Sequence, residues 1–164
     1  VTDLVTALRL ERVGDVVALL KDRGQTVAAA ESLTAGLFTA ALTTVPGSSA
    51  VVRGGLVVYA TDLKASLAGV PEELLAEHGA VHPDVALALA SGARDVCRAD
   101  WGVGLTGVAG PDPQDGVAPG RVYLGLAGPA GRRGYGLRLS GDRQAVRTEA
   151  VRAAIDALWD ALTG

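Results

Sequence analysis

A three-layer α/β/α sandwich around a mixed sheet is predicted by three features of the chain. Short runs of small and branched apolar residues at 27–30, 54–60 and 103–106 alternate with segments whose apolar residues recur at helical spacing. Two further strand-like runs, 122–127 and 135–139, are joined through Gly128-Pro129-Ala130-Gly131 and read as a hairpin. A last helical pattern carries Val151, Ile155, Leu158 and Leu162 on one stripe, enough to seal a sheet face. Helices interleaved with buried strands put cover on both faces of the sheet. The strand order does not follow from these patterns.

Taken in order, Thr2 or Asp3 is positioned to cap a first helix running toward Lys21, which Gly24 ends. Val27 to Ala30 is the first strand, and Thr34 to Thr44 a helix stopped by Pro46. Gly54 to Ala60 is continuously apolar and reads as a strand covered on both faces. Asp62 is a candidate cap for the short helix carrying Lys64, and Pro71-Glu72-Glu73 opens another that Gly79 ends. His82-Pro83-Asp84 begins a longer helix with Val85, Leu89 and Val96 as its inner face. The glycine- and proline-rich stretch from Gly107 to Gly120 is long enough to require a purpose. The final helix starts at Asp142 or Arg143 and runs to Leu162.

No repeat or linker divides the 164 residues, so one domain over 1–164 is expected. Ala, Val and Leu dominate the 49% hydrophobic share, so close element packing replaces bulky side chains; the 22 glycines suit sharp strand ends or close approach to a ligand. A net charge of −3 gives no field for nucleic acid or an anionic membrane. There is no apolar run near membrane-spanning length and no signal-peptide order at the N-terminus, which makes a cytoplasmic location the expectation. Cys97 stands alone, which rules out an intrachain disulfide and fits a small packed hydrophobe. No metal-ligand spacing and no cofactor motif is present.

The stretch Ala28-Ala29-Ala30-Glu31-Ser32-Leu33-Thr34-Ala35-Gly36 passes from strand into helix, which puts the Ser32 hydroxyl at a corner beside unpaired N–H groups. Ser32 or Thr34 is equally suited to capping that helix. Tyr59 and Lys64 follow the next strand, and ends of buried strands are where such domains place sites. A lysine drawn out of water accepts a serine proton; an exposed solubilising lysine is the plainer reading. Tyr59 likewise reads as a core aromatic with its hydroxyl at the rim. Ser48 and Ser49 offer hydroxyls for a ligand or a cap. Thr106-Gly107-Val108-Ala109-Gly110-Pro111 leaves a strand with two glycines able to form an N–H nest. Arg143 and Arg147, one turn apart, are spaced to hold a phosphate or pair with local acids. His78 and His82 read as cap or surface residues.

In this order the motifs resemble the C-terminal domain of the competence/damage-inducible CinA family, which also occurs as a stand-alone nicotinamide-nucleotide amidohydrolase. The matching pieces are Ala30-Glu31-Ser32-Leu33-Thr34-Ala35-Gly36, Gly47-Ser48-Ser49, Gly54 with Val58-Tyr59, Lys64, Gly69-Val70, Gly79-Ala80-Val81, Thr106 to Pro111, and Gly141-Asp142-Arg143 with Arg147. The resemblance implies hydrolysis of the carboxamide of nicotinamide mononucleotide. It implies Ser32 as nucleophile, Lys64 as its base and Tyr59 as an aid to proton transfer. Thr34, Gly36, Ser48, Ser49, Thr106, Gly107 and Gly110 are then substrate-binding candidates, and Arg143 or Arg147 would take the phosphate. It also implies a homo-oligomer with a small-molecule nucleotide substrate and no cofactor. The alternative is a nucleotide-binding or interaction domain of the same fold with weak or no catalysis. Leu33 and Ala35 stand where the family has Cys and Gly, Thr61 where it has Asn, His82 where it has Ser, and Ala118-Pro119-Gly120-Arg121 departs from its usual turn.

Overall fold

A computed structural model describes residues 4–164. Its elements are α1 (Leu4–Leu8), α2 (Val13–Asp22), β1 (Val27–Glu31), α3 (Leu37–Thr43), a 3-10 turn (Ser48–Ala50), β2 (Val52–Val57), α4 (Thr61–Ser66), α5 (Glu72–His78), α6 (Pro83–Cys97), β3 (Trp101–Gly107), β4 (Arg121–Gly128), β5 (Gly131–Arg138) and α7 (Arg143–Thr163). The five strands form one mixed sheet in the order β2-β1-β3-β4-β5. β1 runs parallel to both β2 and β3, and β4 and β5 are antiparallel. Small residues let neighbouring strands and helices approach closely. Ala29 and Val27 face the cluster built on α2, α3 and α7, while Ala28 and Ala30 face the one built on α4 and α6. This is the expected three-layer arrangement, with strand alternation dividing the core into two halves.

Three glycines of β3 and β4 have a different job from the one expected. A Cβ at Gly104 or Gly125 would run into the carbonyl oxygen of Ala86, and one at Gly102 into that of Ala90. They are bare so that α6 can lie directly on the sheet, not to admit a ligand.

Several boundaries differ from expectation. The first helix is broken: Arg9 adopts φ 53°, and Leu10 turns into the core at 1% exposure, so α1 and α2 are separate. Its candidate caps, Thr2 and Asp3, lie outside the described residues. α3 begins at Leu37, not Thr34. β2 is an edge strand, half-buried and exposed in alternation, so it lacks cover on both faces, and it stops at Val57. Ala60, not Asp62, occupies the N-cap of α4. Val96 is exposed, and Ala86, Ala90 and Ala93 complete the inner face of α6 with Val85 and Leu89. No helix is long and apolar enough to cross a membrane among the described residues.

Candidate active site

β1 ends at Glu31, and the sheet ladder continues one residue further because the Ser32 N–H donates to the Leu105 carbonyl at 2.9 Å. Strand alternation sends Glu31 and Ser32 to opposite faces. The Glu31 carboxylate, wholly buried, accepts from Phe38 N (2.9 Å), Thr39 N (3.0 Å) and Thr39 Oγ1 (2.8 Å). It is therefore the side chain that satisfies the α3 N-terminus, where negative charge also suits the helix dipole. Neither Ser32 nor Thr34 caps the helix, so the Ser32 hydroxyl is free for other work. Sequence reading overlooked Glu31 because a cap contributed six residues upstream of the first helical position has no standard spacing.

The Lys64 ammonium comes from α4 on the other face. It is 1% exposed and donates to Ser32 Oγ at 3.0 Å, Val58 O at 2.8 Å and Tyr59 O at 3.3 Å. No ion pair reaches it among the described residues. Burial alone pushes its pKa down from 10.5 to about 8, because the charged form has lost its hydration. The geometry suits the neutral form as well. A neutral amine has two N–H donors and one lone pair. The carbonyls of Val58 and Tyr59 take the two donors, and the lone pair is left facing the serine proton. A solubilising lysine would leave both carbonyls without a donor.

The cleft above this pair has a volume of about 370 Å³ and is lined by Ser32, Leu33, Tyr59, Arg143 and the loop from Gly107 to Gln114. That size lies in the range of small-molecule sites, about 300–1,000 Å³. The loop thus has the purpose its length required. Arg143 crosses from α7, donating to Gly110 O at 2.6 Å and to Tyr59 Oη at 2.8 Å. Three of its five N–H donors remain for a ligand. Tyr59 is 56% exposed, not a core aromatic, and its oxygen already accepts from Arg143, which leaves its proton for a ligand.

Other expected site residues lie elsewhere in this chain. Ser48 and Ser49 precede β2, whose first residue Val52 pairs with Val27, so they sit at the opposite end of the sheet from Ser32. Arg147 donates to Leu33 O (2.9 Å), Thr34 O (3.4 Å) and Gln144 Oε1 (3.0 Å), bracing the turn after the serine instead of lining the cleft. Thr106 is buried, does not line the cleft and donates to Ala80 O at 2.7 Å. Thr34 is fully buried with its hydroxyl unpartnered among the described residues, and Gly36 is the left-handed N-cap of α3. Of the glycines expected to bind substrate, Gly107 and Gly110 line the cleft. Leu33, in place of the family cysteine, packs in the core. His82 caps α6, accepting from Asp84 N at 3.2 Å, and stacks on His78.

Fold and site together define an α/β/α domain with a buried serine–lysine pair at the carboxyl end of its central strands. The chain belongs to the CinA family: the CinA C-terminal domain model matches residues 10–162. It is 49% identical over 92% of its length to a CinA-like protein of Frankia casuarinae, and 50% identical over 78% to a putative competence-damage inducible protein of Geobacillus kaustophilus. It spans only about a third of those curated relatives, 35% and 31% of their lengths. Among solved structures, a competence/damage inducible protein from Agrobacterium tumefaciens superposes with a TM-score of 0.89 at 35% identity, covering 94% of this chain and 95% of that one. A CinA superfamily protein from Klebsiella pneumoniae gives 0.90 at 30%, covering 94% and 97%.

Proposed function

We propose that the chain is an amidohydrolase that converts nicotinamide mononucleotide to nicotinate mononucleotide and ammonia. The observation that carries this reading is the 3.0 Å contact between Lys64 Nζ and Ser32 Oγ, buried and free of any ion pair among the described residues. The substrate comes from the family resemblance.

Neutral Lys64 takes the Ser32 proton as Oγ attacks the carboxamide carbon. Leu33 follows the nucleophile and lines the cleft, and its N–H has no acceptor among the described residues, which makes it the candidate donor for the oxyanion. As the tetrahedral intermediate collapses, the C–N bond breaks and nitrogen leaves as ammonia with the proton that Lys64 took from Ser32, delivered directly or relayed through Tyr59 Oη, so that Lys64 is neutral again. Water, deprotonated by Lys64, then cleaves the acyl ester and returns the proton to Ser32. The spare donors of Arg143 suit the phosphate.

The test is an assay of ammonia and nicotinate mononucleotide release by purified protein. Ser32→Ala and Lys64→Ala should each lower turnover by about 10³-fold or more while the far-ultraviolet spectrum is unchanged. A folded wild-type protein that forms neither product overturns the reading.

A further inference from the structure

The edge strand β5 carries a feature that the cleft does not use. From Gly116 to Gly141 the sequence holds Arg121, Arg132, Arg133 and Arg138 and not one carboxylate, in a chain whose net charge is −3. None of these arginines makes an ion pair or a side-chain hydrogen bond among the described residues; Arg121 lies over the Tyr123 ring at 5.8 Å. Arg121 and Arg138 are directly opposed across the β4–β5 ladder, an arrangement that like charges disfavour unless something negative lies beside them.

The hydrogen-bond phase of the ladder decides which backbone groups are open. Leu139 N donates to Gly120 O at 2.8 Å, so the odd-numbered residues of β5 bond inward to β4, and Arg132, Gly134, Gly136 and Arg138 direct their N–H and C=O groups outward. All four are exposed. Gly134 and Gly136 have ordinary strand φ, and a Cβ there would meet only van der Waals contacts at 3.5 Å, with Leu87 and Tyr123 respectively. Packing therefore does not demand glycine at either position, and with no bulge in the β4–β5 register the bare positions leave room for a neighbouring chain.

We propose that β5 is a strand-addition site for an acidic extended segment of another polypeptide, which would become the sixth strand of the sheet. On one face its acidic residues would oppose Arg132 and Arg138, with branched residues between them filling the space beside Gly134 and Gly136 over Leu87 and Tyr123. Its alternate residues would meet Arg133 on the other face. A single nucleic-acid strand laid on one face of the sheet cannot use both sets of guanidinium groups, whereas a β-strand does so by its pleat. A second copy of β5 is disfavoured as occupant because it would bring Arg132, Arg133 and Arg138 of two strands to one edge with no carboxylate on either.

The probe is a fluorescein-labelled peptide, Glu-Thr-Val-Thr-Val-Glu-Glu, followed by fluorescence anisotropy, with amide exchange read at Gly134 and Gly136. The peptide should bind with Kd of about 10–100 μM and protect both glycine amides. The double variant Arg132→Glu, Arg138→Glu should lose at least about tenfold in affinity for it and instead bind the peptide with lysine in place of glutamate. Several results overturn the proposal: no binding at about 1 mM, binding unchanged in the double variant, no protection of the two amides, or capture of an oligothymidylate but not of the peptide. None of these readouts involves catalysis, so the outcome is separate from that of the amidase assay.

Discussion

The two ends of β1 are polar in opposite ways. At its amino end, Thr26 and Asp100 close on each other: Thr26 N and Oγ1 both donate to the Asp100 carboxylate, at 2.8 and 3.0 Å, and Asp100 N donates to Thr26 Oγ1 at 3.1 Å. Beside them Trp101 Nε1 donates to Gln25 Oε1 at 3.0 Å. At its carboxyl end, among the described residues, Lys64 is buried without a counter-charge and the Thr34 hydroxyl has no partner, and Ala35 is held at φ 48°. Satisfied groups fasten a fold, whereas unsatisfied and strained ones persist only where the surroundings over-determine them, a pattern that gathers at reactive sites.

The sharpest way to break this contrast is to exchange one residue at each end. Lys64→Met should cut turnover by about 10³-fold or more, and Asp100→Ala should leave turnover unchanged while costing about 2 kcal/mol in urea denaturation, because it strands the Thr26 donors. Equal loss of activity from the two would show that the ends are not distinct. Next in size is the response to pH. Unfolded lysine titrates near 10.5 and folded Lys64 near 8, so between these values the unfolded chain binds more protons, and stability rises with pH by about 3 kcal/mol in all. Below pH 8 both states are protonated and the penalty is constant. The rise should be read as wild type minus Lys64→Met, which cancels other groups. Turnover should climb with the same apparent pKa of about 8. A pH-independent difference would mean that Lys64 keeps its hydration. The smallest effects sharpen the picture of strain: Ala35→Gly and Thr34→Val should each raise the unfolding free energy by about 0.5–1 kcal/mol, the first by relieving the left-handed alanine and the second by removing an unpaired hydroxyl. Lower midpoints would show that both positions are already relaxed.

What could be read in the sequence follows from how local each cause is. The helices, the hairpin through Pro129 and Ala130, the start of the last helix at Asp142 or Arg143 and the strand-to-helix corner at Ser32 rest on neighbouring residues and emerged as expected. The break at Arg9 did not, because it depends on where Leu10 finds the core. Reading β2 as doubly covered failed because an apolar run looks the same at an edge as in the middle of a sheet. The division of labour between Arg143 and Arg147 was hidden too: residues one turn apart share a helix face, and only the docking of α7 sends one to the cleft and the other to the turn. Lys64 was visible as a residue type in a promising place, but its burial depends on the carbonyls of Val58 and Tyr59 waiting inside.

The grip of Arg147 on the carbonyls of Leu33 and Thr34 spans 114 and 113 positions of chain. The turn after Ser32 is therefore completed from the far side of the sequence, by the last helix in the order of elements. Ser32 acquires its bracing only once α7 has docked, so a chain still emerging from the ribosome would carry the hydroxyl without the frame that aims it.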